Sequence, residues 1–238
     1  MQTYQSKVGE KMIFDDKTIR YIDIFITSFL PLLKAGLTFT IPLTLISFAL
    51  GLILALFTAL ARISKFKPLV VIASFYVWII RGTPLLVQLF IIFYGLPSVG
   101  IILDPLVAGI IGFSLSVGAY NSEVIRAAIL SIPKGQWEAS FSIGMTDAQA
   151  LKRVILPQAA RVSIPPLANS FISLVKDTSL AAAITVTEMF QIAQRITATT
   201  YEPLLLYCEA ALIYLAFCTV LTIIQSKMEN LLGRYVAK

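Results

Sequence analysis

The chain has 238 residues, 58% of them hydrophobic and only 13% charged, with a formal net charge of +6 and no histidine. A soluble globular domain carries about 25% charged residues, so this composition, with a mean hydropathy of +0.85, excludes an ordinary soluble protein and specifies an integral membrane one. Its apolar segments run to helix length without the alternating polar face of an outer-membrane strand, so a single helical bundle is the expected way to satisfy the backbone in lipid.

What is missing bounds the chemistry. Without histidine there is no imidazole proton relay, no Ser-His nucleophile and no commonest metal ligand. No nucleophile and base pair stands out, so no catalytic residue and no metal centre is expected. The chain lacks a Gly-x-x-x-x-Gly-Lys-[Ser/Thr] run, so any nucleotide phosphates are held by another polypeptide. Nucleic acid is not an expected partner. Cys208 and Cys218 fall ten positions apart in one predicted helix, too distant for a mutual disulfide, and read as small packing residues.

In chain order, residues 1–34 form a tail whose apolar run from Tyr21 to Leu33 contains Asp23 and no clear small-residue cleavage site. It is expected to be an interfacial segment outside the membrane rather than a cleaved signal peptide. Five spans follow in a domain covering 35–230. The first is the 27 uncharged residues between Lys34 and Arg62, ample for the about 20 residues a crossing needs. The second runs from Pro68 to about Gly95 and is interrupted at Arg81-Gly82-Thr83-Pro84. The third runs from Asp104-Pro105 to about Leu130, turning polar at Tyr120-Asn121-Ser122-Glu123. The fourth runs from about Val162 to Phe190 with Lys176 and Asp177 inside it, and the fifth from Pro203 to Ser226. Residues 131–158 form a long loop and 231–238 a tail.

Basic residues set the orientation. With the C-terminus in the cytoplasm, the inner segments hold Arg62, Lys65 and Lys67, then Arg126, Lys134, Lys152, Arg153 and Arg161, then Lys227, Arg234 and Lys238. The outer loops between helices hold Arg195 alone. An odd number of spans then puts the N-terminus outside, where the basic residues of the tail are diluted by Glu10, Asp15, Asp16 and Asp23. Trp78 and the tyrosines near helix ends read as interfacial anchors.

The long loop is a charged, amphipathic island whose apolar side calls for a soluble partner to cover it, the alternative being a loop that folds only onto its own bundle. Pro133 and Pro157 bracket it, Gly144 permits a sharp turn, and Thr146-Asp147 offers a helix N-cap. A helix from Asp147 places Ala148, Leu151 and Ile155 on one side with Lys152 beside them, a face that can dock in a groove.

Glu138-Ala139-Ser140, then Gly144 after three residues, Val154 after nine more, and Leu156-Pro157 resemble the EAA loop of permease subunits in ATP-binding-cassette importers, Glu-Ala-Ala-x3-Gly-x9-Ile-x-Leu-Pro. Ser140 and Val154 stand for the usual alanine and isoleucine. Arg81 to Gln88, Leu156 to Arg161 and Asn169 to Leu180 resemble runs in permeases for polar amino acids, and Lys134 to Ala139 with Ile164 to Phe171 resemble permeases for L-cystine. The resemblance covers all but the N-terminal tail. It implies a type I (MetI-like) all-α bundle in a bacterial plasma membrane, with Glu138 to Met145 as the coupling helix. Its implied partners are two copies of an ATPase subunit carrying ATP and magnesium, a second permease chain, most simply a homodimer, and an extracytoplasmic substrate-binding protein. Transport then proceeds by alternating access. A self-contained carrier or channel is the alternative, although inverted repeats are not evident.

Substrate recognition is expected where ionisable groups sit in lipid, at about 2.5 to 3.5 kcal/mol each on insertion scales. Arg81, Thr83 and Gln88 form one such stretch. Asn169, Ser173 and Asp177, spaced by four with Lys176 adjacent, form another. Arg81 or Lys176 would hold an amino acid's carboxylate, and Asp177, Asn169 and Ser173 its amine. Alternatively Arg81 pairs with Asp177, or Lys176 with Glu209. Asn121, Glu123 and Arg126 are either an inner gate or, for the last two, an internal helix pair.

Overall fold

The computed structural model describes residues 2–233, with side chains from 16 to 230. Arg234 and Lys238, which contribute to the orientation, lie outside the described residues. Ten α-helices carry the fold, and no strand occurs among the described residues.

α1 (Gln2–Ala35) and α2 (Ile41–Ile63) are joined by a π-helical turn, Gly36–Thr40, into a single rod. Residues 21–33, expected as an interfacial segment, therefore run into the first span without a break. The spacing of Ile24, Ser28, Leu32 and Ala35 explains this continuity. They bury one stripe, of which Leu32 and Ala35 meet Met189, Ala193, Ala210 and Ile213, while Asp23 and Lys34 remain exposed.

Prolines place the other irregularities. Each of the three π-helical turns among the described residues, Gly36–Thr40, Ile91–Gly95 and Leu151–Ile155, ends two residues before a proline: Pro42, Pro97 and Pro157. Proline cannot donate to the carbonyl four residues back and its ring crowds it, and a widened turn absorbs both defects. Pro157 consequently does not close the long loop. The helix from Asp147 passes through it into α8 (Leu156–Asp177).

α3 (Lys67–Gly82) and α4 (Leu85–Phe90) meet at a bend of 104° across Thr83-Pro84. α8 ends earlier than expected. It tightens into a 3-10 turn, Thr178–Ile184, and Thr185 takes φ 63° before α9 (Met189–Thr200) begins, so the fourth span does not reach Phe190. The buried Glu188 causes this restart, because its carboxylate accepts from Gln191 N at 2.7 Å and caps α9. α10 (Pro203–Gly233) closes the bundle.

By length and hydropathy, Asp16–Ile63 and Pro203–Asn230 qualify as membrane crossings, and the bent α3–α4 pair makes a third. α5 (Pro105–Ser131) and α8 are long enough, but polar residues interrupt their apolar runs, Tyr120-Asn121-Ser122-Glu123 in α5 and Lys176-Asp177 in α8. α5 is the central helix, with Gly112, Ser114, Gly118, Asn121 and Ser122 all buried, and a helix shielded by its neighbours needs no apolar girdle.

The closest packing is between α2 and α5, where glycine lets the helices approach. A Cβ on Gly51 would lie 2.4 Å from Val117 Cγ1 and 3.1 Å from Ser114 O. Gly51→Ala is expected to cost about 1 to 3 kcal/mol of overpacking, read as a lower unfolding midpoint in detergent. An unchanged midpoint would show that this seam can yield.

Candidate functional site

The long loop folds as two helices around a glycine turn. α6 (Lys134–Ser142) ends one turn before Met145 because Gly144, at φ 79°, takes the left-handed position that follows a helix. Met145 N donates to Ser140 O at 3.1 Å and Gly144 N to Phe141 O at 2.9 Å, the paired bonds of a Schellman end. Thr146 then opens α7 (Asp147–Ala150) with a reciprocal cap. Its Oγ1 accepts from Gln149 N at 3.3 Å, and Gln149 Oε1 accepts from Thr146 N at 3.0 Å.

This unit has an anchored side and a free one. Ile155 is fully buried with Ala128, Ile129, Ile132 and Ala159, and Trp137, Leu151, Val154 and Leu156 pack on them together with Leu60 and Ile63 of α2. The side of this helix expected to dock in a partner's groove therefore covers the bundle itself through Leu151 and Ile155, and only Ala148 of that set stays exposed. Ser140 is buried and back-bonds to Gln136 O at 2.7 Å. Glu138, Ala139, Gly144 and Pro157 are exposed, and so are Phe141 and Ile143, the latter 73% so. Lys65 ties α7 to the end of α2 by donating to Asp147 at 2.8 Å. That hydrogen bond, with the charge attraction behind it, raises the lysine's pKa above its ordinary value. The pair's contribution is complete below the ordinary value and is lost only as pH climbs through the raised one, so it is constant across the neutral range.

A second cluster joins three helices. Glu123 on α5 accepts from Arg126 Nε and NH2 at 3.0 and 2.9 Å, from Arg62 NH1 at the end of α2, and pairs with Arg81 NH1 of α3 at 3.7 Å. The Glu123–Arg126 pair expected within one helix is present, and two arginines from other helices join it. Arg81 also lies over the Tyr120 ring at 5.3 Å. Neither Arg81–Asp177 nor Lys176–Glu209 forms an ion pair among the described residues.

Beside this cluster opens a cavity of about 350 Å³ lined by Leu85, Ser116, Tyr120, Ser170, Ser173 and Asp177, among others. Ser173 and Asp177 come together there as their spacing requires. The other candidates separate. Lys176 lines a different cavity, of about 500 Å³, with Ser179, Tyr207 and Tyr214. Asn169 accepts from Gln225 Nε2 at 3.0 Å. Gln88 does not share a helical face with Arg81, since the 104° bend intervenes. Its Nε2 instead donates back to Ile80 O, Thr83 O and Thr83 Oγ1 at 2.8, 3.0 and 2.9 Å, closing the carbonyl end of α3. Asn121 is buried in α5.

Residues 47–233 match the model of the binding-protein-dependent transport system inner membrane component family. The chain belongs to this family. As a permease subunit it carries no ATPase of its own, and its family works with a separate ATPase and a substrate-binding protein. It is 58% identical to the L-cystine transport system permease protein TcyB of Bacillus subtilis (strain 168), over 91% of this chain and 93% of that one. Among solved structures it is similar to an amino acid ABC transporter crystallised with histidines, with a TM-score of 0.77 and 34% identity over 90% of this chain and 96% of that one. The inward-facing MetNI methionine ABC transporter shares the fold at a TM-score of 0.68 and 19% identity, covering 87% of this chain and 97% of that one.

The permease also holds two buried carboxylates that sequence reasoning missed as a pair. Glu188 accepts from Tyr214 OH at 2.8 Å, and Glu209 meets Ser28 at 2.5 Å. Glu188 stood at the assumed end of a span and Glu209 inside one. Only the clustering of Ser28, Tyr214 and Gln191 around them reveals that they fasten α1, α9 and α10 together.

Proposed function

We propose that the chain is the translocating subunit of an L-cystine importer driven by ATP hydrolysis on its partner. The observation that carries this reading is the 58% identity to the L-cystine permease TcyB along nearly the whole of both chains. The cavity beside α5 supplies complementary chemistry. Asp177 and Ser173 receive an ammonium group, and Arg81, adjoining across Tyr120, receives a carboxylate. Two copies of the chain form the path, each docked on one of two ATPase subunits through the α6–α7 turn, with Glu138, Ala139, Gly144 and the exposed Ile143 presented to the partner. The N-terminus lies outside and the C-terminus in the cytoplasm, with five crossings per chain. Glu123 and Arg126 belong to the inner gate that alternates with outward opening.

The test is ATPase activity of the reconstituted complex with its binding protein against a panel of amino acids. Stimulation by L-cystine above the others is expected. Stimulation by basic amino acids alone would overturn the cystine assignment.

A further inference from the structure

We infer that Glu123 is an internal competitor of the substrate's carboxylate for Arg81, so that substrate in the cavity draws Arg81 out of the arginine cluster and loosens α3 from α2 and α5. This rests on the reading above that Arg81 faces a carboxylate in the cavity.

The cluster is unbalanced in charge. Three guanidinium groups converge on one carboxylate, leaving positive charge in excess at a half-buried point. The three contacts are also unequal. Arg126 holds Oε2 through two hydrogen bonds from its own helix, at 3.0 and 2.9 Å, and Arg62 hydrogen-bonds Oε1 from the last turn of α2. Arg62 is further tied to Ser74 Oγ on α3 at 3.3 Å. Arg81 reaches Oε1 only at 3.7 Å, beyond hydrogen-bond distance, and its side chain is 44% exposed against 19% for Arg62 and 32% for Arg126. The arginine held most loosely is thus the one stacked on Tyr120, a wall of the cavity.

A free carboxylate can offer Arg81 the paired, in-plane hydrogen bonds that guanidinium groups favour and that Glu123 does not give it. Glu123 keeps Arg62 and Arg126 when Arg81 leaves, so the exchange strands no buried charge. Its consequence is mechanical, because Arg81 is in the last turn of α3, immediately before the 104° bend clamped by Gln88. Glu123 lies eight residues before the α5 end at Ser131, about 12 Å along the axis, between the cavity and the α6–α7 unit. An anion arriving in the cavity is therefore felt on the way to the coupling surface.

The experiment uses the full complex with its ATPase and binding protein, measuring the L-cystine concentration for half-maximal ATPase stimulation and the rate without substrate. Glu123→Gln weakens the competitor. The half-maximal concentration is expected to fall about fivefold, the size of one partly screened charge pair, and the substrate-free rate to rise. Glu123→Asp retains the charge that balances the arginines and withdraws the carboxylate from Arg81, whose contact is already the longest, so it shifts both readings the same way by less. Arg81→Gln separates carboxylate binding in the cavity from the competition with Glu123. If it leaves the half-maximal concentration unchanged, the carboxylate reading of the cavity fails. If it raises that concentration while Glu123→Asp and Glu123→Gln leave it unchanged or raise it, the competition alone is overturned.

Discussion

Gly144→Val is expected to leave the chain folded in the membrane while reducing copurified ATPase and substrate-driven hydrolysis about tenfold, because a β-branched residue at φ 79° carries at least about 1 to 2 kcal/mol of backbone strain. The strain has one outlet. No atom lies within 4 Å of a Cβ built at this position, so nothing in the bundle is displaced, and the valine relaxes only by unwinding the Schellman bonds from Gly144 and Met145. That unwinding moves Phe141 and Ile143, the exposed apolar tips of the turn, relative to the anchored Ile155. Gly144→Asn is the informative companion, since asparagine enters the left-handed region at low cost, and most of the coupling should return. A valine variant that retained its partner and its stimulated rate would separate the glycine from docking.

Asp177→Asn is expected to lower L-cystine uptake about tenfold or more, the value of one charge-assisted hydrogen bond, without lowering the amount of protein in the membrane. The Asp177 carboxylate makes no hydrogen bond or ion pair among the described residues and lines the cavity with Ser173. The isosteric amide therefore removes charge from the cavity and no tether from the bundle. Arg81 differs, because its loss also removes a contact to Glu123, so protein level must accompany uptake for Arg81→Ala. Normal uptake in Asp177→Asn would remove the ammonium site from this cavity.

Features written in short stretches of sequence were legible. The turn at Gly144, the cap at Thr146 and the pairing of Glu123 with Arg126 each depend on residues within six positions of one another, and each is present. The helical membrane class followed from composition. The errors arose where distant residues intervene. Gln88 looked like a neighbour of Arg81 on one helical face until the break at Thr83-Pro84 turned the chain and gave its amide three carbonyl-side partners to close. Pro157 looked like the end of the loop, yet a π-helical turn carries the helix through it. The cluster around Glu123 unites positions 62, 81, 123 and 126 from three helices, and no local spacing signals such a meeting. Lys176 and Asp177 illustrate the same limit at the smallest scale: adjacent in sequence, they serve different cavities.

This polypeptide provides the path, and a nucleotide-hydrolysing partner provides the force. Uptake of labelled L-cystine into sealed vesicles tests it most directly, comparing this chain alone with the chain joined by its ATPase and binding protein. Accumulation against a gradient is predicted in the complete system with ATP and in no other arrangement. Accumulation by vesicles holding this chain alone would contradict it.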